Sequence, residues 1–128
     1  MSDMNTEEMD YRSQQIEALQ VMVEYNEKLM KGIKTSAEEF GGERKSDTDE
    51  FFKQVIDGIN WMLNVLNACL PFINEKQTVI DKDAANAVIK KLEAAIQGND
   101  DAAKSRVLSE DMLPFVSKVT EAAQVTIQ

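Results

Sequence analysis

The chain has 128 residues, of which 43% are hydrophobic and 29% charged, and its formal net charge is −9 at pH 7. This length predicts one domain, residues 1–128, and the apolar content is too high for wholesale disorder. The acidic charge disfavours nucleic acid and anionic membranes as partners, because phosphate groups are repelled. The N-terminus is acidic and polar where a signal peptide is basic and then apolar, so we expect a cytoplasmic protein.

The first predicted helix covers residues 6–40 and follows a loose segment at residues 1–5. Thr6 is its predicted N-cap, because a threonine side chain can accept a hydrogen bond from the first turn. Gly41-Gly42 ends the helix, as glycine beyond a helix end commonly does.

Apolar residues recur along this first helix in alternating steps of three and four, which predicts one long packed face. They are Met9, Ile16, Leu19, Val23, Met30, Ile33, Ala37 and Phe40. Arg12 and Asn26 fill polar positions on the same face. The side chain of Asn26 either is buried and fixes the register between packed helices, or lies at a solvent-exposed end of the apolar face.

The second predicted helix, residues 46–70, begins with a capping-box-like pair of Ser46 and Asp49 and is ended or kinked by Pro71. Its polar residues share an arc of about 80° at about 100° per residue. They are Lys53, Asp57, Asn60, Asn64 and Asn67. This arc excludes a membrane span, which needs about 20 mainly apolar residues. The remaining circumference is mostly apolar, so we expect this helix to be central, with at least two neighbours.

One edge of that apolar arc is the candidate interaction surface. It consists of Trp61, Val65, Ala68 and Phe72. Either the fourth helix covers this edge or another molecule does. The asparagine stripe of the same helix is interpreted as a solvated face, with recognition of a ligand through its amides as the alternative.

Two further helices are predicted at residues 81–97 and 100–125. The apolar phase of the last one continues across Pro114, which predicts a single helix bent near Glu110, the residue whose carbonyl loses its usual donor. Short connections favour antiparallel neighbours. The predicted fold is therefore an all-α, antiparallel four-helix bundle with a long first helix, a central second helix and a Pro-kinked fourth helix.

The chain offers little chemistry for catalysis, because it has no histidine and a single cysteine. Cys69 lies on the apolar face of the second helix, where we expect core packing rather than nucleophilic attack. Asp47 and Asp49, near Glu43, resemble a calcium loop only superficially, since the required glycine and distal glutamate are missing. We therefore expect no catalytic residues, no metal and no cofactor, and a protein that is not an enzyme.

The segment VLSEDMLPFVSKV, with the preceding VIDKDAANAVIKKLEAAI, is similar to segments of uncharacterised small acidic all-helical proteins of bacteria. The resemblance covers roughly the C-terminal half and rests on a Leu-x-x-x-Met-Leu-Pro pattern, which carries no catalytic residue. It implies a helical bacterial protein and no particular activity. In size and acidity the chain also resembles bacterial export chaperones, flagellar ones included, at the level of architecture alone.

Two functions are compatible with these patterns. The leading hypothesis is a non-enzymatic protein-interaction module, either adaptor or chaperone-like, with an exposed apolar groove beside the second helix. Its partner is another protein or a second copy in a homodimer. The alternative is a small-molecule-binding protein or minor enzyme with a pocket lined by Trp61, Tyr25 and carboxylates. That pocket would need to be enclosed, with converging polar groups and shifted carboxylate pKa values.

Overall fold

The computed structural model describes residues 2–128, with side chains from Asp10 onward, and these residues form four helices and no strand. The first three are α1 (Ser2–Gly41), α2 (Thr48–Ile73) and α3 (Lys82–Gln97). The fourth helix is continuous and consists of α4 (Asp101–Val107), a π turn (Leu108–Met112) and α5 (Leu113–Thr126). The predicted all-α bundle is confirmed. Over the described range, no helix is long and apolar enough to cross a membrane.

α1 begins earlier than the sequence pattern predicts. Its helical backbone includes residues 2–5, so Thr6 lies inside the helix and the N-cap prediction is wrong. No glycine or proline stands before Thr6 to stop the helix, and the residues there allow it to extend. Met1, and the side chain of Met9 that was assigned to the apolar face, lie outside the described residues.

The start of α2 also differs from the prediction. The helix begins at Thr48 without a side-chain cap, so the capping box of Ser46 and Asp49 is wrong. Thr48 organises the turn instead, because its hydroxyl accepts a hydrogen bond from the Lys45 backbone N–H at 2.8 Å. The same hydroxyl donates to Oε1 of Glu39, also at 2.8 Å, and so ties the turn to the end of α1.

α1 occupies the central position of the bundle. Tyr25 of α1 meets Trp61 of α2, whereas Phe40, later in α1, meets Phe52, earlier in α2, so these two helices are antiparallel. α1 also packs against α4, the π turn and α5, while α2 packs against α1 and α5. The prediction that the second helix has at least two neighbours is confirmed, whereas the central position belongs to α1 and not to the second helix. With 40 residues, α1 is long enough to pack along both α2 and the fourth helix.

The core contains most of the residues expected there. The apolar faces of the four helices predict eight core residues, namely Ile16, Leu19, Val23, Ile59, Leu66, Leu92, Phe115 and Val119. Six of them are buried, namely Leu19, Ile59, Leu66, Leu92, Phe115 and Val119. Ile16 and Val23 are half-buried, and Val23 packs against the edge of the core.

A polar pair joins α1 to α5 inside this core. Asn26 is fully buried, and its Nδ2 donates to Oγ1 of Thr120 at 3.0 Å. The Thr120 hydroxyl in turn donates to the Val116 carbonyl at 2.8 Å. Of the two interpretations of Asn26, the structure supports the buried residue that fixes register, since one amide must find one hydroxyl on the facing helix.

The π turn explains how the fourth helix continues through Pro114. The backbone N–H of Leu113 donates to the Leu108 carbonyl, five residues back. Proline has no N–H, and its ring crowds the carbonyl four residues earlier, that of Glu110. A wider turn just before the proline gives the ring room. Continuity across Pro114 is confirmed, whereas the bend near Glu110 stays a prediction.

α3 is the peripheral helix, and it packs against α4 and the π turn. Its N-cap is Asp81, whose carboxylate accepts from the Asp83 backbone N–H at 3.2 Å. The buried side chains of α3 form a narrow apolar face consisting of Ala85, Leu92 and Ala95. At the rim of this face, Lys91 Nζ lies 3.2 Å from Oδ1 of Asp111 in the π turn.

Candidate functional site

Exposed hydrophobic side chains concentrate on one surface shared by α1 and α2. Among the residues with described side chains, five large hydrophobic ones are exposed, and three of these lie here. They are Tyr11, Val21 and Trp61, exposed by 59%, 49% and 39%. We call this surface the α1–α2 face and define it as Tyr11, Ala18, Val21 and Tyr25 of α1 together with Trp61, Val65 and Ala68 of α2.

An aromatic pair holds the two helices together at one end of the α1–α2 face. The rings of Tyr25 and Trp61 meet edge to face, with centroids 5.1 Å apart and planes at 72°. Gly58 makes this possible, because a Cβ there would overlap the Tyr25 hydroxyl and lie 3.0 Å from Cδ1 of Leu29. Tyr25 is thereby fixed in a half-buried position with one side of the aromatic pair in water.

A shallow depression of about 380 Å³ lies beside this pair and is open to solvent. Val21, Tyr25 and Trp61 line it together with Gln54, Asp57 and Gly58. Tyr25 and Trp61 are thus neighbours, as the small-molecule alternative requires. Asp57 is the one carboxylate in the lining, so several converging carboxylates are not assembled at this place.

The four residues of the predicted interaction surface divide into two groups. Trp61, Val65 and Ala68 lie along the α1–α2 face, with Ala68 exposed and Val65 half-buried against the core. Phe72 lies at the end of the bundle beneath Arg12, whose guanidinium carbon is 3.8 Å from the ring centroid. α1, rather than the fourth helix, is therefore the element that flanks this edge of α2.

Arg12 is itself anchored at that end. One of its nitrogens lies 3.2 Å from Oε1 of Glu75, in the loop after α2. The hydrogen bond from Arg12 lowers the pKa of the Glu75 carboxyl, since it favours the charged form. Arg12 thus covers Phe72 with its positive charge already paired.

A groove of about 700 Å³ opens next to Phe72, between the loop after α2 and the C-terminal part of α5. Its apolar lining consists of Phe72, Ile73, Val79, Ala122 and Val125. Its rim carries charges of both signs, from Glu75, Lys76, Lys118 and Glu121. A mixed rim of this kind favours no ligand charge, and the groove is therefore a weaker candidate than the α1–α2 face.

The opposite end of the bundle is closed by charged residues that sequence reasoning missed. Arg44 Nε lies 2.5 Å from Oδ2 of Asp101, and Arg44 Nη1 lies 2.9 Å from Oδ1 of Asp49. The hydrogen bonds from Arg44 lower the pKa of both carboxyls. Lys104 is buried, and its ammonium lies 5.0 Å from the Phe40 ring centroid. The residues that pair with Arg44 and Lys104 are distant from them in sequence, so no local sequence pattern predicts these contacts.

The remaining chemical groups are consistent with structural roles. Cys69 is 1% exposed, its Sγ lies 4.0 Å from the Gln15 carbonyl, and burial raises the pKa of its thiol. The predicted core packing of Cys69 is confirmed. Asn60, Asn64 and Asn67 are all exposed, as expected for a solvated stripe. Among the described residues, no group of three or more Cys, Asp or Glu side chains is placed to hold a metal ion.

The α1 half of the face was not identified from the sequence. Its signal is nevertheless present, because Tyr11, Ala18 and Tyr25 are seven residues apart and Val21 lies between them. This spacing gives a second stripe on the helix, beside the one that faces the core. Only the antiparallel pairing with α2 shows that the stripe lies next to Trp61.

Comparison with protein families matches residues 17–122 to the family described as a domain of unknown function, DUF8042. The match covers most of the chain, which therefore belongs to this family. Comparisons with curated proteins and with solved structures gave no significant match.

Proposed function

We propose that this DUF8042 member is a non-enzymatic, cytoplasmic protein-interaction module that binds a helix of a partner protein along the α1–α2 face. The observation that carries the proposal is that the exposed side chains of Val21 and Trp61 line one depression together with Tyr25, while the exposed Tyr11 lies further along the same stripe of α1. Single exposed hydrophobic residues are normal on any protein, whereas contiguous ones are typical of interaction sites.

The shape of the face supports a helical partner. Its α1 stripe runs from Tyr11 to Tyr25 and is about 21 Å long at the usual rise of an α-helix, which is about four turns. Two antiparallel helices form a groove between them, and an amphipathic helix can place its apolar side chains in such a groove. Trp61 and Tyr25 are the anchors, because large aromatic side chains on a rigid support dominate many interfaces.

The fold supports an adaptor or chaperone-like role more than a catalytic one. The partner would add a helix beside α1 and α2 without any change in the existing core. Cys69, the one strong nucleophile in the chain, is buried in that core. Binding would then depend on the surface side chains of the α1–α2 face, which can be changed without unfolding the protein.

The test compares proteins captured from a native cytoplasm by three forms of the chain. The wild type, Val21→Glu on the α1–α2 face, and Asn67→Glu on the polar stripe are used, and circular dichroism checks that all three fold. We expect a partner that the wild type and Asn67→Glu retain and Val21→Glu loses. Identical captured proteins for all three forms would contradict the proposal.

A further inference from the structure

We infer that the partner helix is basic, with lysine or arginine residues that flank its apolar stripe and face an acidic row on α1. This inference rests on the proposed function and names the chemistry of the partner. The acidic row consists of Asp10, Glu17 and Glu24, all exposed and seven residues apart. Heptad spacing puts its members on one line along the helix.

The acidic row lies directly beside the apolar stripe of the α1–α2 face. Each acidic residue immediately precedes a residue of the stripe, so the two lines are separated by about 100° around α1. The acids therefore form the outer rim of the face, and Asp57 of α2 lines the depression beside Trp61 on the other side. A helix seated in the groove would have the acidic row along one flank and the single carboxylate of Asp57 on the other.

The acidic row ends where the apolar stripe ends. The next heptad position after Glu24 is Lys31, and the residue beside it is Gly32 rather than an apolar surface residue. A Cβ at Gly32 would lie 3.2 Å from Cγ2 of Val55, so α1 and α2 are in close contact there. The acidic row and the apolar stripe thus end at the same place along α1, which is expected if one partner contacts both.

The chain already contains one helix docked in this way. α3 covers part of the fourth helix with a narrow apolar face, and its Lys91 pairs with Asp111 at 3.2 Å on the rim of that contact. In α3, an apolar stripe and a lysine opposite an acidic rim pack a helix against this bundle, and the chain also tethers that helix at both ends. A basic amphipathic partner would repeat the arrangement on the α1–α2 face.

A second copy of the chain fits the rim less well. Each copy carries a net charge of −9 and the same row of Asp10, Glu17 and Glu24. A symmetric dimer through this face would bring two acidic rims into one interface, where like charges oppose association. A basic helix would be attracted by the same charges and would bind faster at low salt.

The test uses three synthetic tryptophan-free peptides of about 20 residues, enough for several helical turns. The first has a heptad stripe of leucine flanked by lysine, the second has glutamate in place of lysine, and the third is a scrambled form of the first. Trp61 is the only tryptophan of the protein and lies on the face, so its emission reports binding. We expect a blue shift and the tightest binding with the first peptide, weakened by salt.

Charge reversal on α1 locates the effect. Glu17→Lys combined with Glu24→Lys should weaken the basic peptide roughly tenfold, through the loss of several exposed ion pairs, and strengthen the acidic peptide. Glu27→Lys combined with Glu38→Lys is the matched control, because it makes the same change in net charge at exposed positions of α1 away from the face. The control should leave the order of the three peptides unchanged.

Each of the following results would overturn the inference. Equal binding of the scrambled peptide, or equal effects of the two double reversals, would show attraction by net charge alone. Equal binding of the acidic and basic peptides, both abolished by Val21→Glu, would refute the basic partner and leave the proposed function standing. A dimer of the chain alone in analytical ultracentrifugation, abolished by Val21→Glu, would show that a second copy occupies the face. Binding of the basic peptide that Val21→Glu does not weaken would refute the proposed function as well.

Discussion

The contact between α3 and the fourth helix and the bare α1–α2 face are built on the same pattern. Each has a stripe of apolar side chains with carboxylates at its rim. On the fourth helix, α3 covers the stripe and Lys91 pairs with Asp111. On the α1–α2 face, Val21 and Trp61 are exposed, and none of the four described helices covers them.

The comparison shows how little is needed to cover such a stripe. α3 has 16 residues and three buried side chains, and Val88 packs against the core beside them. The stripe of α1 between Tyr11 and Tyr25 is about as long as this helix. A helix of ordinary length could therefore bury this stripe. The chain supplies such a helix for the fourth helix, which α3 covers, but none of the described helices covers the α1–α2 face.

The largest expected effect is a difference in stability between the two surfaces. Leu92→Ala removes a side chain that is 5% exposed at the α3 contact, and we expect a loss of about 2–5 kcal/mol in the free energy of unfolding. Val21→Ala removes one that is 49% exposed, and we expect a change below about 0.5 kcal/mol. Urea denaturation of both variants measures the difference.

Leu66→Ala is the positive control for this comparison, because Leu66 is 3% exposed on the buried side of α2 and should also cost about 2–5 kcal/mol. A large loss for Val21→Ala would mean that the α1–α2 face is buried in solution. If that loss grew with protein concentration, self-association through the face would be the cause.

Most of the fold could be predicted because it follows from local patterns. Heptad spacing predicted α1, and Gly41-Gly42 marked its end to within a residue. The polar arc of α2 predicted which of its side chains are exposed. The start of α2 was misplaced because Thr48 bonds to Glu39 of α1, and a contact between helices outweighed a plausible local cap. The central position of α1 depends on contacts along its whole length, which no short window shows.

The candidate surface could be predicted only in part, for a related reason. Trp61, Val65 and Ala68 were identified from a helical-wheel projection of the second helix, in which they form one edge of its apolar arc. Val21 was missed, because its importance comes from lying beside α2. Phe72 was included because the wheel cannot show that Arg12 of α1 covers its ring. Spacing within a helix predicts a stripe, but the pairing of two helices decides which stripes meet.

The next largest effect on stability is expected on the side of α1 that is buried against α5. Thr120→Val removes the hydroxyl that accepts from Asn26 and leaves a fully buried amide without that partner. We expect a loss of about 1–3 kcal/mol, the cost of an unsatisfied buried polar group. The free energy of unfolding from urea denaturation measures it.

A double-mutant cycle sharpens this prediction. Combining Thr120→Val with Asn26→Leu replaces both polar partners by apolar groups, and this pair should cost less than the sum of the single changes. Additive losses would show that the hydrogen bond does not couple α1 to α5. The register role of Asn26 would then be wrong, although its burial would stand.

A smaller effect is expected from Gly58→Ala, at the place where the bare face meets the core residue Leu29. The new methyl group must displace the Tyr25 ring, and the lost contact with Trp61 offsets the gain in helix propensity. We expect the stability to change by less than about 1 kcal/mol and the emission of Trp61 to change clearly. Gly32→Ala, elsewhere along the contact of α1 with α2, is the control and should leave that emission unaltered.

The smallest effect is a dependence on pH that distinguishes the two ends of the bundle. Arg44 lowers the pKa of Asp49 and of Asp101 at the closed end, whereas Arg12 lowers the pKa of Glu75 alone beside the groove. A carboxyl with a lowered folded pKa stabilises the protein above its unfolded pKa of about 4, and this contribution is lost as the pH falls through the folded pKa.

Arg44→Gln and Arg12→Gln separate these contributions. In urea denaturation between about pH 2 and pH 5, the wild type should lose stability most steeply as the pH falls, and Arg44→Gln should be the flattest of the three. Arg12→Gln should fall between them, because it releases one carboxylate instead of two. The reverse order would mean that the loop after α2 is held more firmly by charge than the junction of α1, α2 and α4.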